Sequence, residues 1–330
     1  MRKPNFFVVG APKCGTTALY TYLNGHPNVF MPHVKEPHFF ADDFSGYRYI
    51  SSRDQYLRLF KGAGENHAAI GEASVFYLYS QTAIKKINAF DPAAKILVMI
   101  RNPLEMLPSL HSQLLWSCRE TETDFERAWQ LQAARLRGEN LPRQCLAAQH
   151  LQYGEVGKFG GQVQRLLSVF PREQVKLVLF DDFTKCTRTV YEESLRFLGV
   201  EPDDRSEFPK VNGNRKHRWP ALGRLLVSPP FPLNVVKQGL KDIGATKLGL
   251  TQLKRSVISA NTTPTRRNPL NPRFRRELAN YFNEDIALLE SILQRDLSHW
   301  TSQTAPESQP VRLHSLPQRM EVGHLEPVTG

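Results

Sequence analysis

The chain has 330 residues, enough for one large α/β domain or two ordinary ones. Hydrophobic residues are 41% and charged residues 23%, a globular balance that excludes disorder, a collagen-like repeat and a disulfide-stapled miniprotein. Lys and Arg outnumber Asp and Glu by 43 to 32, and the net charge of +11 favours anionic partners without choosing among nucleotides, sulfated or acidic glycans, nucleic acid and membrane surfaces.

Residues 5–10 read as a short buried strand ended by Gly10, and 11–15 as a loop. Residues 16–24 follow with Leu19, Tyr20 and Leu23 at helical spacing. Residues 95–100 form a second apolar strand, and Asn102-Pro103 then opens a helix over 104–116. A third strand covers 174–180, followed by a helix over 190–198 that Gly199 closes. Helical periods also cover 80–90, 124–137, 157–170 and 272–293. Strands alternating with helices predict an α/β, P-loop-like three-layer fold, a mostly parallel sheet flanked by helices on both faces. One domain is expected over 1–300, with an irregular basic, Pro/Gly-rich insertion at about 200–271 and a flexible tail over 301–330. The apolar run at Ile96–Ile100 stops at Arg101, far short of the roughly 18 residues of a membrane span. The first residues lead into an apolar stretch too short for a signal peptide, so the expected location is cytoplasmic. Cys14, Cys118, Cys145 and Cys186 have no CxxC spacing and read as reduced thiols.

Gly10 and Gly15 have the spacing of the GxxxxGK[ST] phosphate loop, set between a strand and a helix whose N–H groups can cradle an anion. A nucleotide triphosphatase needs lysine at position 16. Here Thr16 stands there and the lysine is Lys13, inside the loop. The second strand ends in Arg101, where a magnesium-binding site would offer an aspartate, and Ser109 lies about two helical turns further on. That strand end is the edge where open α/β sheets bind ligands, and an arginine with a serine there can hold a second phosphate. Taken alone, Arg101 reads first as an arginine capping a strand through a surface salt bridge.

Together these features resemble the sulfotransferases that use 3′-phosphoadenosine 5′-phosphosulfate (PAPS). The resemblance is carried by Pro12-Lys13-Cys14-Gly15-Thr16-Thr17, by Arg101-Asn102-Pro103 with Ser109, and by Arg266 in Pro264-Thr265-Arg266-Arg267-Asn268-Pro269. It extends to Tyr281, Asp285, Leu288-Leu289 and Arg295-Asp296-Leu297, and runs with gaps from about residue 5 to 300. It implies that Lys13, Cys14, Gly15, Thr16 and Thr17 hold the 5′-phosphosulfate, Arg101 and Ser109 the 3′-phosphate, and that Arg266 closes over that end. PAPS becomes 3′-phosphoadenosine 5′-phosphate as product, and no metal is expected in the chemistry.

Lys35-Glu36-Pro37-His38-Phe39-Phe40 resembles the E-x-H-F-F segment of the carbohydrate-type, heparan-sulfate-like branch, whose glutamate acts as base on the acceptor. Glu36 is the candidate base, Lys13 the candidate group for the leaving phosphate, and His38 the alternative base or an orienting partner. Without the resemblance, Glu36 reads as a loop carboxylate paired with Lys35 or His33, and His38 as a packed histidine. Gly71-Glu72-Ala73-Ser74 and Tyr77 resemble the E-K-T-P-x-Y segment of the heparan branch, with Ala73 for its lysine and Val75 for its proline. Glu72 and Ser74 are therefore candidate acceptor-binding residues. Ala18 follows the paired threonines where the small-molecule cytosolic branch usually carries tryptophan, which leans the chain toward the carbohydrate-like branch.

The reading is a sulfotransferase moving a sulfuryl group from PAPS to a hydroxyl or amine of a small-molecule or glycan acceptor, by in-line attack with a carboxylate base. The alternatives are a P-loop kinase or nucleotide triphosphatase and, last, a non-catalytic polyanion binder. No nucleic-acid partner is expected, because no RRM, KH or helix-turn-helix signature is present. Nothing in the sequence indicates an oligomeric state.

Overall fold

A computed structural model describes residues 2–209, 211, 215–217, 261–264 and 267–302. Most of the expected insertion, nearly all of the expected tail, and Arg266 lie outside the described residues.

The central sheet comprises β1 (Phe6–Gly10), β2 (Val29–Phe30), β3 (Ala69–Ala73), β4 (Lys95–Ile100) and β5 (Val175–Leu179), in the order β2-β3-β1-β4-β5. Every pairing in it is parallel. All five residues of β1 and of β3 are buried, as are Ile96 to Ile100. Successive strand residues point to opposite faces, so uninterrupted burial requires cover on both faces of the sheet. The helices supply that cover: α1 (Thr16–Asn24), α2 (Arg53–Arg58), α3 (Ala83–Phe90), α4 (Pro103–Trp116), α5 (Phe125–Gln130), α6 (Gln132–Leu136), α7 (Tyr153–Gly157), α8 (Phe159–Leu167), α9 (Phe180–Lys185), α10 (Thr187–Leu198) and α11 (Pro272–Leu293). A further antiparallel pair, β6 (Arg215–His217) with β7 (Thr262–Pro264), lies beside α4.

The three strands expected from apolar runs are β1, β4 and β5. The strands β2 and β3 were not among them. Two residues are too few to show a period, and β3 carries Gly71 and Glu72 in its middle. Gly71 has a packing cause: a Cβ there would meet the Phe6 ring at 2.0 Å. The helical period over 124–137 divides into α5 and α6, which share Leu131 as a cap. Helix α4 begins as expected, with Asn102 accepting the Leu104 N–H and Pro103 in the first turn. Gly199 closes α10 in the left-handed conformation, φ +78°.

The ending to which the resemblance extends is architectural. Asp285 of α11 accepts the Gly160 and Gly161 N–H groups at 2.7 and 2.9 Å, satisfying the open first turn of α8. Arg295 pairs with Asp182, Trp300 donates from Nε1 to Asp181 at 3.0 Å, and Asn102 donates to the Trp300 carbonyl at 3.0 Å. The turn at Ser298–Trp300 thereby ties the segments that follow β4 and β5 together. Among the described residues no helix is long and apolar enough to cross a membrane.

Candidate active site

Three loops leave the carboxyl edge of the sheet side by side. The order there is β3, β1, β4, with neighbouring strands about 4.8 Å apart. The register between β1 and β4 shifts between Val8 and Gly10, so the strand jogs just before its loop. Lys13 has φ +61° and Gly15 φ +89°. A non-glycine residue in that region costs on the order of 1–3 kcal/mol, strain of the kind that collects at ligand-binding loops. Helix α1 starts directly at Thr16 with no side-chain cap, leaving its first N–H groups for a ligand. Thr16 is buried, Thr17 half-buried, and Lys13 half-buried. Burial pushes the Cys14 thiol up to about 12, so Cys14 serves the loop as a packed neutral group.

Arg101 follows β4 and stands 4.6 Å over the Phe180 ring, with its guanidinium donating to Glu105 at 2.7 Å. Ser109 is buried on α4. Arg267, in the segment before α11, lies within electrostatic reach of Arg101. Partial burial, and then the like charge of Arg101, lower its pKa. Two guanidinium charges within electrostatic reach of each other suit a phosphate. Arg267 lay unassigned beside Arg266 in the sequence motif.

The Lys35–Phe40 segment is pinned to the other side of β1. The Glu36 N–H donates to the Ala73 carbonyl at 3.0 Å and the His38 N–H to Ser74 Oγ at 3.1 Å. Phe40 is packed among Phe7, Phe39, Tyr56, Tyr77 and Phe90, which explains the paired phenylalanines of the segment as its anchor. Glu36 and His38 both have positive φ, +62° and +52°. The Glu36 side chain is 28% exposed, whereas His38 is completely buried. Glu36 Oε2 lies 3.6 Å from His38 Nε2, and its other oxygen meets the Lys35 ammonium. Burial acts to raise the Glu36 carboxyl, but Lys35 and His38 outweigh it and hold it at about 2. Burial lowers the His38 pKa despite that carboxylate, so the ring is neutral at pH 7. Lys35, which the sequence offered as a partner of Glu36 only for a plain loop carboxylate, is thus a direct partner of the base candidate.

Glu72 and Ser74 are completely buried and face inward, toward this segment. Glu72 accepts hydrogen bonds from Ser74, Tyr56 and Tyr77. Burial raises its carboxyl to about 7 against the pull of those hydroxyls and of Lys35. With no exposed surface, Glu72 reaches its neighbours through hydroxyl groups rather than reaching an acceptor directly.

The family model described as "Sulfotransferase domain" matches residues 3–213, and the chain belongs to the sulfotransferase family. It is 27% identical over 248 residues to carbohydrate sulfotransferase 15 of Rattus norvegicus, covering 60% of this chain and 44% of that protein. It is 25% identical over 209 residues to bifunctional heparan sulfate N-deacetylase/N-sulfotransferase 4 of Mus musculus, covering 60% of this chain and 22% of that one. The chain therefore spans less than half the length of these curated relatives, whose names agree with the carbohydrate branch. The crystal structure of a sulfotransferase from Alicyclobacillus acidocaldarius superposes with a TM-score of 0.65 at 31% identity, over 92% of this chain and 100% of that one.

Proposed function

We propose that this sulfotransferase moves a sulfuryl group from PAPS to a hydroxyl or amine of a carbohydrate acceptor, with Glu36 as the base. The observation that carries the reading is the order along the sheet edge: carboxylate at β3, phosphate loop at β1, Arg101 at β4. From the end of β3 to the end of β4 is about 10 Å, two strand spacings, the scale of a nucleotide with separated anionic groups beside its acceptor.

The residues fit that ligand. The first-turn N–H groups of α1 and Lys13 are suited to its 5′ end, and Arg101, Arg267 and Ser109 to its 3′-phosphate. PAPS, when bound, supplies a sulfuryl group on a phosphate leaving group. Lys13 sets positive charge where that phosphate gains negative charge. Glu36, ionised and partly exposed, accepts the acceptor's proton as the new S–O or S–N bond forms. His38 is closed off from the acceptor by burial and serves to orient Glu36.

The test is a thermal shift with 3′-phosphoadenosine 5′-phosphate beside AMP and ATP-magnesium. A ligand at 100 times its dissociation constant stabilises by about 2.7 kcal/mol, a rise of a few degrees for a chain of this size. A shift specific to the bisphosphorylated nucleotide is expected. A shift with ATP-magnesium alone would overturn the reading in favour of a kinase. Glu36→Gln is expected to lower turnover at least about 100-fold while that nucleotide's affinity holds.

A further inference from the structure

Glu72 is a buried ionisable group that the chemistry above does not use, and its contacts lead to the base. Alternate backbone N–H groups of the base segment each have one acceptor. Glu36 donates to the Ala73 carbonyl at 3.0 Å, His38 to Ser74 Oγ at 3.1 Å, and Phe40 to Tyr77 Oη at 3.3 Å. The second and third acceptors are hydroxyls, and both give their own protons to Glu72: Ser74 to Oε1 at 2.5 Å and Tyr77 to Oε2 at 3.0 Å. Tyr56 also donates to Oε2 at 3.0 Å.

We propose that Glu72 is a positioning residue for the base, acting through Ser74 and Tyr77 to hold the backbone of residues 36–40. The inference rests on the reading of Glu36 as base. A hydroxyl is both donor and acceptor, and its proton turns to the better partner. With both protons committed to a carboxylate, the lone pairs of Ser74 and Tyr77 are left facing the His38 and Phe40 N–H groups. Glu36 and His38 lie at positive φ, a conformation that relaxes unless its surroundings over-determine it. Glu72 is well placed to impose it, because β3 pairs with β1 at Phe7↔Glu72 and is fixed in the sheet. An apolar residue would fill this core position without the expense of burying a carboxyl, but it would leave the two hydroxyls free to turn.

The closing experiment measures single-amide hydrogen exchange and sulfuryl transfer in the full chain and in Ser74→Ala, Tyr77→Phe and Glu72→Gln. Transfer is followed from PAPS to desulfated heparan and chondroitin chains. Ser74→Ala is expected to speed exchange at the His38 amide, Tyr77→Phe at the Phe40 amide, and Glu72→Gln at both, with the Glu36 amide unchanged. Each variant is expected to lower kcat at least about tenfold with unchanged affinity for 3′-phosphoadenosine 5′-phosphate. In a Glu36→Gln background the same substitutions are expected to cost little more, because they act through the group already removed. Faster exchange spread evenly over the core, or full additivity with Glu36→Gln, would overturn the proposal. Should Glu72→Gln not fold, the two hydroxyl variants carry the test. Wild-type failure to use these acceptors would count against the function, and the exchange pattern would still decide the clamp.

Discussion

Arg101 and Phe180 stand guanidinium over ring, 4.6 Å apart, and that same ring lies 3.1 Å from where a Cβ on Gly15 would sit. One aromatic side chain thus braces the phosphate loop after β1 and the arginine after β4. Its position follows from strand order, because β5 pairs with β4 and Phe180 is the next residue after β5.

Phe180→Ala is accordingly expected to loosen both anion positions. Loss of a cation–π contact worth about 0.5–2 kcal/mol corresponds to a roughly 2- to 30-fold loss in affinity for 3′-phosphoadenosine 5′-phosphate. Gly15→Ala is expected to lose more, since it also demands φ +89° of a residue with a Cβ. Isothermal calorimetry on both variants checks this, and wild-type affinity in Phe180→Ala would dismiss the bracing role.

Lys35 sets the pH range over which Glu36 is ionised. With the carboxyl held at about 2, kcat/KM is expected to show no acid limb from Glu36 between pH 7 and pH 4. Lys35→Ala removes the largest favourable charge, so the Glu36 pKa rises and an acid limb enters that window. The stability sign agrees: a depressed carboxyl contributes above its ordinary value of 4.5 and loses that contribution as the pH falls toward 2. A kcat/KM profile for Lys35→Ala superimposable on wild type would exclude this control.

A buried ion pair holds the wall beyond α4. Arg135 meets Glu120 through two bonds of 2.7 Å, and Tyr153 donates to the same carboxylate at 2.9 Å. Both charged side chains are essentially unexposed. Arg135→Ala strands the carboxylate and is expected to destabilise by about 3–5 kcal/mol, measured by urea unfolding. A loss below about 1 kcal/mol would mean that water reaches Glu120 in the variant.

Cys14 is expected to resist iodoacetamide at pH 8 in the folded protein, because burial holds its thiol protonated at about 12. Exposed Cys186 is expected to react under the same conditions. Peptide mass spectrometry separates the two, and rapid labelling of Cys14 would show that the phosphate loop opens.

What the sequence determined by itself is whatever depends on short-range pattern. Apolar runs marked β1, β4 and β5, and helical spacing marked α1, α4, α10 and α11, because burial on two faces or one stripe imposes a local period. The loop residues Lys13 to Thr17, the strand-end Arg101 and the Glu36–His38 segment were legible for a similar reason, each being a contiguous group with its own chemistry. Only the tertiary structure decided which groups face one another. The strand order β2-β3-β1-β4-β5 is not sequential, so it alone brings Glu36 to one side of the phosphate loop and Arg101 to the other. It turns Glu72 inward onto Ser74, Tyr56 and Tyr77, and brings Arg267 within electrostatic reach of Arg101, 166 positions earlier, relations that no local period encodes. Charge and burial act through space, and the chain's order says little about space until the sheet has formed.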